Sequence, residues 1–288
     1  MGFLWGLLPF FGWSVGDIFG AFASRKIGAY KATAYVFIFG FILSSLLLPF
    51  FWRDFWRLSV HWVIFNIIIG TACLIGNLLL NESFRRSSTS LVGIIVQSFP
   101  AVTLLLSAII FKDPLSVRQI VWVLLIFMGV FLCSVNIKDL IKVQLVKDSG
   151  VQLALIASVI FALYFTFFRL LDNQYGWFWA NYISFASFPL ALYLSKKFLK
   201  TQDTIGFVKD KKITLAILLS AILLRSGDVG LNVGIAQGFS SITAPLAGAS
   251  PVLFVFLSSL IYKDPITKQQ KMGIGISLVG IVLLSFFS

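Results

Sequence analysis

The chain has 288 residues, of which 59% are apolar and only 12% charged, with a mean hydropathy of +0.96. A charged share so far below the roughly 25% of soluble domains leaves too little polar surface to face water, and excludes an ordinary globular enzyme, a disordered protein and a nucleic-acid module. The formal net charge of +12 must then be read by position, because in membrane proteins Lys and Arg report topology.

Crossing a hydrocarbon layer of roughly 30 Å at about 1.5 Å per residue takes about 20 apolar residues. Such stretches fall near 3–23, 30–51, 60–81, 88–111 and 118–136, then near 150–171, 177–194, 213–238, 240–262 and 269–287. Charged or turn-forming breaks separate them: Arg25-Lys26, Arg53-Asp54, Arg85-Arg86, Lys112-Asp113-Pro114, Lys138-Asp139, Arg169 to Asp172, Lys196 to Lys212 and Lys263-Asp264-Pro265. Only Gln237 to Ser241 marks the break between spans eight and nine. The pattern predicts an all-α integral membrane protein of ten transmembrane helices. No soluble domain is expected, and Met1 to Phe11 lacks the basic start of a cleavable signal. Cys73 and Cys133 lie in apolar runs and His61 is the single histidine, so neither a disulfide framework nor a metal site is expected.

Residues 89–134 align with 240–285 at a constant shift of 151, with 12 identities in 46 positions and no gap. The matches include Pro100 with Pro251, Lys112-Asp113-Pro114 with Lys263-Asp264-Pro265, and Gly129 with Gly280. Carried backwards, the shift places Asn77 on Asp228 and Asn81 on Asn232. The chain thus divides into two five-span repeats, 1–137 and 149–288. Five is odd, so the second repeat must enter the membrane from the opposite side. Such inverted repeats place a binding site near the midplane and open it alternately to either face.

These residues resemble the drug/metabolite transporter superfamily in its ten-helix form, built from two EamA-type halves. The resemblance rests on the five-plus-five layout. It rests also on the Ser-rich entries (Ser87 to Ser90; Ser240, Ser241), the mid-span prolines, the short charged turns and the Gly-ended final spans. Where that family commonly has Gly-Glu in the turn, this chain has Lys-Asp-Pro twice. The resemblance implies a proton- or gradient-coupled exporter or exchanger of amino acids, other small metabolites, sugars or drugs. Span one is also similar to the first helix of small multidrug resistance proteins, with Asp17, Gly20 and Arg25 at matching spacing and Asp in place of Glu.

Only Asp17 and Asp228 among the acidic residues lie well inside apolar spans. A charge there costs roughly 2.5–3.5 kcal/mol on insertion scales, so it needs a partner, water or a function. Asp17 has no basic residue at i±3 or i±4 and is the candidate proton-coupling carboxyl, the alternative being a neutral acid that fixes helix packing. Asp228 has Arg225 three residues before it on the same face. That pair either eases insertion of span eight or offers Arg225, through its planar fork of donors, to an anionic group of a solute. Asn77, Asn81, Asn232 and Gln97 add polar groups for solute contact or interhelical hydrogen bonding, and repeat symmetry sets the i, i+4 pairs Asn77–Asn81 and Asp228–Asn232 on opposite walls of one cavity. Trp13, Tyr164, Phe168 and Trp179 are candidates for stacking. Gly12, Gly16 and Gly20, like Gly230, Gly234 and Gly238, form small-residue faces for close helix approach. Pro100 and Pro251 remove a backbone hydrogen bond each and predict matched bends, as hinges or static curves.

Assigned to alternate loops, Lys and Arg number 17 on one face and five on the other. By the positive-inside rule both termini lie outside the cytoplasm, whereas the family resemblance implies the reverse. The expected function is a secondary active transporter in the cell membrane, with a channel or lipid-translocating protein as the alternative. A membrane-embedded enzyme would need a nucleophile with a base, or a metal cluster, and the spans offer neither. The expected partners are a small-molecule solute and the lipid bilayer, not nucleic acid, with the chain acting as a monomer or a homodimer. No cofactor is expected.

Overall fold

The computed structural model describes residues 1–134, 148–198, 205–237, 239–263 and 266–287, and every regular element among them is helical. The first half contains α1 (Gly2–Ile27), α2 (Ala29–Ser45), α3 (Leu48–Phe51), α4 (Val60–Arg86), α5 (Thr89–Val96), α6 (Phe99–Ile110) and α7 (Val117–Ser134). The second contains α8 (Ser149–Ala186), α9 (Phe188–Phe198), α10 (Lys211–Ala236), α11 (Ser240–Gly248), α12 (Ser250–Tyr262) and α13 (Lys268–Phe287). Expected charges at Lys138, Asp139, Lys142, Lys147 and Lys200, and the Asp264-Pro265 part of the second turn, lie outside the described residues.

Five helical stretches are long and apolar enough to cross a membrane, and a sixth joins them if Ala29–Ser45 and Leu48–Arg57, bent by 52°, form one span. This is fewer than the ten expected, in part because the stretch Ser149–Lys197 runs on for 49 residues without a loop and counts once. The break after span six also falls later than Arg169 to Asp172. Helical geometry holds until Tyr175 and is lost at Tyr175 (φ −143°) and Gly176 (φ 82°, ψ 160°). Gly28 makes the same kind of corner between α1 and α2 (φ 86°, ψ 147°). A Cβ is strained in this backbone region, so one glycine in each half turns the chain sharply after its first helix.

Pro100 and Pro251 begin helices rather than kinking helix interiors. Pro100 stands in the first turn of α6 and Pro251 in that of α12, where a missing N–H costs nothing. The breaks lie just before them, at Gln97-Ser98 and Ala249. The Lys-Asp-Pro turns also share a geometry: Lys112 (φ 59°) and Lys263 (φ 49°) are the left-handed non-glycine residues among those described. A left-handed residue stops a helix by redirecting the chain.

Without a hydrophobic force between helices in lipid, close approach at small residues drives packing. Gly12, Gly16 and Gly20 on α1 meet the Leu223 carbonyl, Leu224 and the Ser220 hydroxyl of α10, while Gly230 and Gly234 on α10 meet Leu8 and Trp5. The two helices therefore run antiparallel along a shared glycine seam, in keeping with the packing expectation for these faces. In the same manner α4 lies along α8, joined by Asn66, which donates to the Tyr175 hydroxyl (2.9 Å) and the Ala180 carbonyl (3.0 Å) and accepts from Ser184. The final helices α7 and α13 cross at equivalent residues. A Cβ on Gly129 would meet Gly273 and Ser277; one on Gly280 would meet Trp122 and Ile126, their equivalents under the 151-residue shift. Ser277 Oγ donates to the Ile126 carbonyl at 3.1 Å. Residue order is reversed along this contact, so equivalent helices of the two halves run in opposite directions.

Candidate functional site

A cavity of about 350 Å³ lies between the halves, walled by α1, α4, α6, α8 and α10. Helical spacing delivers its polar centre. Arg225 and Asp228, three apart on α10, form an ion pair of 2.6 Å, with side chains 22% and 24% exposed. Trp13 donates its indole N–H to the other Asp228 oxygen at 3.0 Å. The Arg225 guanidinium also lies over the Phe185 ring, 4.0 Å from its centroid. Stacking and pairing together hold its plane fixed, with further N–H donors of the fork beyond the one that meets Asp228.

Asp17 lines the cavity on α1 and feels the charge of Asp228, while its carboxylate has no hydrogen bond or ion pair among the described residues. Asn77, Asn232, Gln97, Tyr164 and Phe168 line the same space. Asn77 and Asn232 each donate back to their own helix, to the Cys73 carbonyl (3.1 Å) and the Asp228 carbonyl (2.7 Å), which leaves their amide oxygens as acceptors.

Four expected site residues lie elsewhere. Asn81 does not line the cavity: it accepts from Ser24 Oγ at 2.8 Å and donates to the Asn77 carbonyl, within the α1–α4 contact. Trp179 is buried in an aromatic cluster and donates to the Phe51 carbonyl at 3.1 Å. Pro100 and Pro251 flank the helix breaks without lining the cavity. Sequence reasoning missed Cys73, Phe99, Phe161, Phe165, Asp172 and Phe185 in the wall. Only Asp172 carried a signal, as a charge read as a loop boundary. Arg169, read in the same way, lines the cavity and pairs with Asp113 at 2.8 Å. Among the described residues no group of His, Cys, Asp and Glu could hold a metal ion.

The structure is thus a bundle of long apolar helices with a charged, aromatic-walled cavity lined by both halves. The sequence model of the EamA-like transporter family matches residues 1–135 and again 148–286. The chain belongs to that family, within the drug/metabolite transporter superfamily, and is a multi-pass membrane protein of a family of small-solute transporters. An uncharacterized protein of Methanocaldococcus jannaschii is 36% identical over 78 residues, which is 27% of this chain. The chain spans just over half of that relative, 57% of its length. A solved crystal structure shares the fold, with a TM-score of 0.61 at 14% identity over 99% of this chain and 96% of that one.

Proposed function

We propose that the protein is a secondary active transporter of the cell membrane, exporting or exchanging a small organic solute such as an amino acid by alternating access. Ten spans in two inverted five-helix repeats are the architecture for this. Ser149–Lys197, at about 1.5 Å per residue, is more than twice the length of one crossing and is divided at Gly176 into two. The observation that carries the reading is the Arg225–Asp228 pair fixed inside a cavity that both halves line. A pair that served insertion alone would have no need of a solute-sized space around it.

Within that space the remaining donors of Arg225 receive the solute carboxylate, and Asp17 exchanges a proton with the solute or bears its cationic group. Asn77, Asn232 and Gln97 supply hydrogen bonds, and Tyr164 and Phe168 supply ring faces. Uptake of a radiolabelled amino-acid mixture into proteoliposomes, with and without a pH gradient, tests this. Wild type should respond to the gradient. Asp17→Asn should transport without that response or stop, and Arg225→Lys should lose transport while inserting normally. Gradient-independent transport unchanged in Asp17→Asn removes proton coupling, and full transport in Arg225→Lys removes carboxylate recognition.

A further inference from the structure

The two halves are related by sequence, yet their matching ends are in different states. Near the end of α1, Arg25 donates to the carbonyls of Phe84 (2.8 Å) and Ser87 (3.2 Å) at the C-terminus of α4. One residue earlier, Ser24 Oγ donates to Asn81. Here α1 and α4 are zipped together, and none of Ser24, Arg25, Asn81 or Phe84 lines the cavity. In the second half, α8 and α10 take the places of α1 and α4, and Asn232 and Ile235 those of Asn81 and Phe84 under the 151-residue shift; Arg169 stands seven residues before the Gly176 corner, one turn further from it than Arg25 is from Gly28. There α8 and α10 scarcely touch. Arg169, Asn232 and Ile235 all line the cavity instead. Arg169 is turned away to Asp113 (2.8 Å) and the Phe111 ring (4.0 Å).

These places lie at opposite ends of the bundle. Ser87 precedes the 22-residue span Thr89–Ile110 and Phe111 follows it, a separation of about 33 Å at 1.5 Å per residue. The cavity is therefore sealed at the Arg25 end and reaches Arg169 at the other.

We infer that Arg25 and Arg169 are paired latches, each sealing its own end by capping the last carbonyls of the facing helix of its own half, α4 or α10, a natural seat for a guanidinium. In the present state Arg25 is engaged and Arg169 is parked on Asp113. In the opposite state Arg169 leaves Asp113 and caps the α10 carbonyls at Ile235 and Ala236, while Arg25 releases Phe84 and Ser87. Exchange of conformation between inverted halves is how such proteins alternate, and the inference rests on the transporter reading above.

Cys73, in the cavity wall, is a native reporter. In a Cys133→Ser background, its labelling by a membrane-impermeant methanethiosulfonate, which forms a mixed disulfide on Cys73 and releases methanesulfinate, is timed in right-side-out and inside-out vesicles. Arg169→Gln removes the latch of the opposite state and should favour labelling from the Arg169 end. Asp113→Asn frees Arg169 to latch and should favour the other end, although both variants break the same ion pair. Arg25→Gln should act like Asp113→Asn, so the signs remain comparable if one variant fails to insert. The ratio of the two labelling rates should move about threefold to tenfold, which is about 0.7–1.4 kcal/mol at 1.4 kcal/mol per factor of ten. Shifts of the same sign in Arg169→Gln and Asp113→Asn, or no shift in either, overturn the latches and leave transport by the wild type untouched. Opposite shifts in a protein that transports nothing uphold the latches and sink the transporter reading instead.

Discussion

Gly176 and Gly275 both have open space where a Cβ would stand, yet alanine should act on them in opposite directions. Gly176 has φ +82°, so alanine there adds backbone strain of about 1–3 kcal/mol. Gly275 lies within α13, where alanine gains up to about 1 kcal/mol of helix propensity. Thermal unfolding in detergent should show a lowered midpoint for Gly176→Ala and an unchanged or raised one for Gly275→Ala; equal behaviour would contradict the corner. The Arg225–Asp228 pair gives a second contrast. Either single neutralisation leaves a half-buried charge without its partner, and the double swap Arg225→Asp with Asp228→Arg restores the pair. Stability should then return while amino-acid transport does not, because the solute still needs the guanidinium beside Phe185. Transport recovering with stability would mark the pair as a device for insertion.

The helix seams set the next scale. Gly129 and Gly280 sit against equivalent residues of the opposite helix, so alanine at either should cost a similar amount, about 1–3 kcal/mol for overpacking. Unfolding midpoints of Gly129→Ala and Gly280→Ala that differ widely would contradict the reversed α7–α13 contact. Most elements were legible beforehand, because length and apolarity alone decide what spans a bilayer, and the prolines and Lys-Asp-Pro turns punctuate both halves alike. Span six was misjudged because charge is a poor boundary signal where a charge has a partner: Arg169 stays in the helix by pairing with Asp113. The corner itself rests on Gly176, four residues beyond Asp172, the last of the charges expected to end the span. At the site, the inner carboxylates and Arg225 stood out as ions in apolar runs. Phe185 and Phe99 did not, since 31 phenylalanines all satisfy a lipid-facing pattern equally well. Asn81 was placed on the cavity wall by repeat symmetry, and the two halves break that symmetry where α1 closes on α4 and α8 does not close on α10.

At the scale of the whole molecule, the antiparallel α7–α13 crossing, the glycine seam of α1 with α10 and the matched seam of α4 with α8 describe two similar halves around one cavity. On the proposed transporter reading, each half takes up in turn the conformation now held by the other. A channel has no need of that equivalence, but a carrier does. The most direct test is exchange across the membrane: proteoliposomes preloaded with unlabelled amino acids are given a radiolabelled mixture outside. Alternating access predicts faster labelled uptake into loaded vesicles than into empty ones, with a transient overshoot, and loss of both in Arg225→Lys. Uptake that is indifferent to preloading, or slowed by it, would contradict a carrier and indicate a pore.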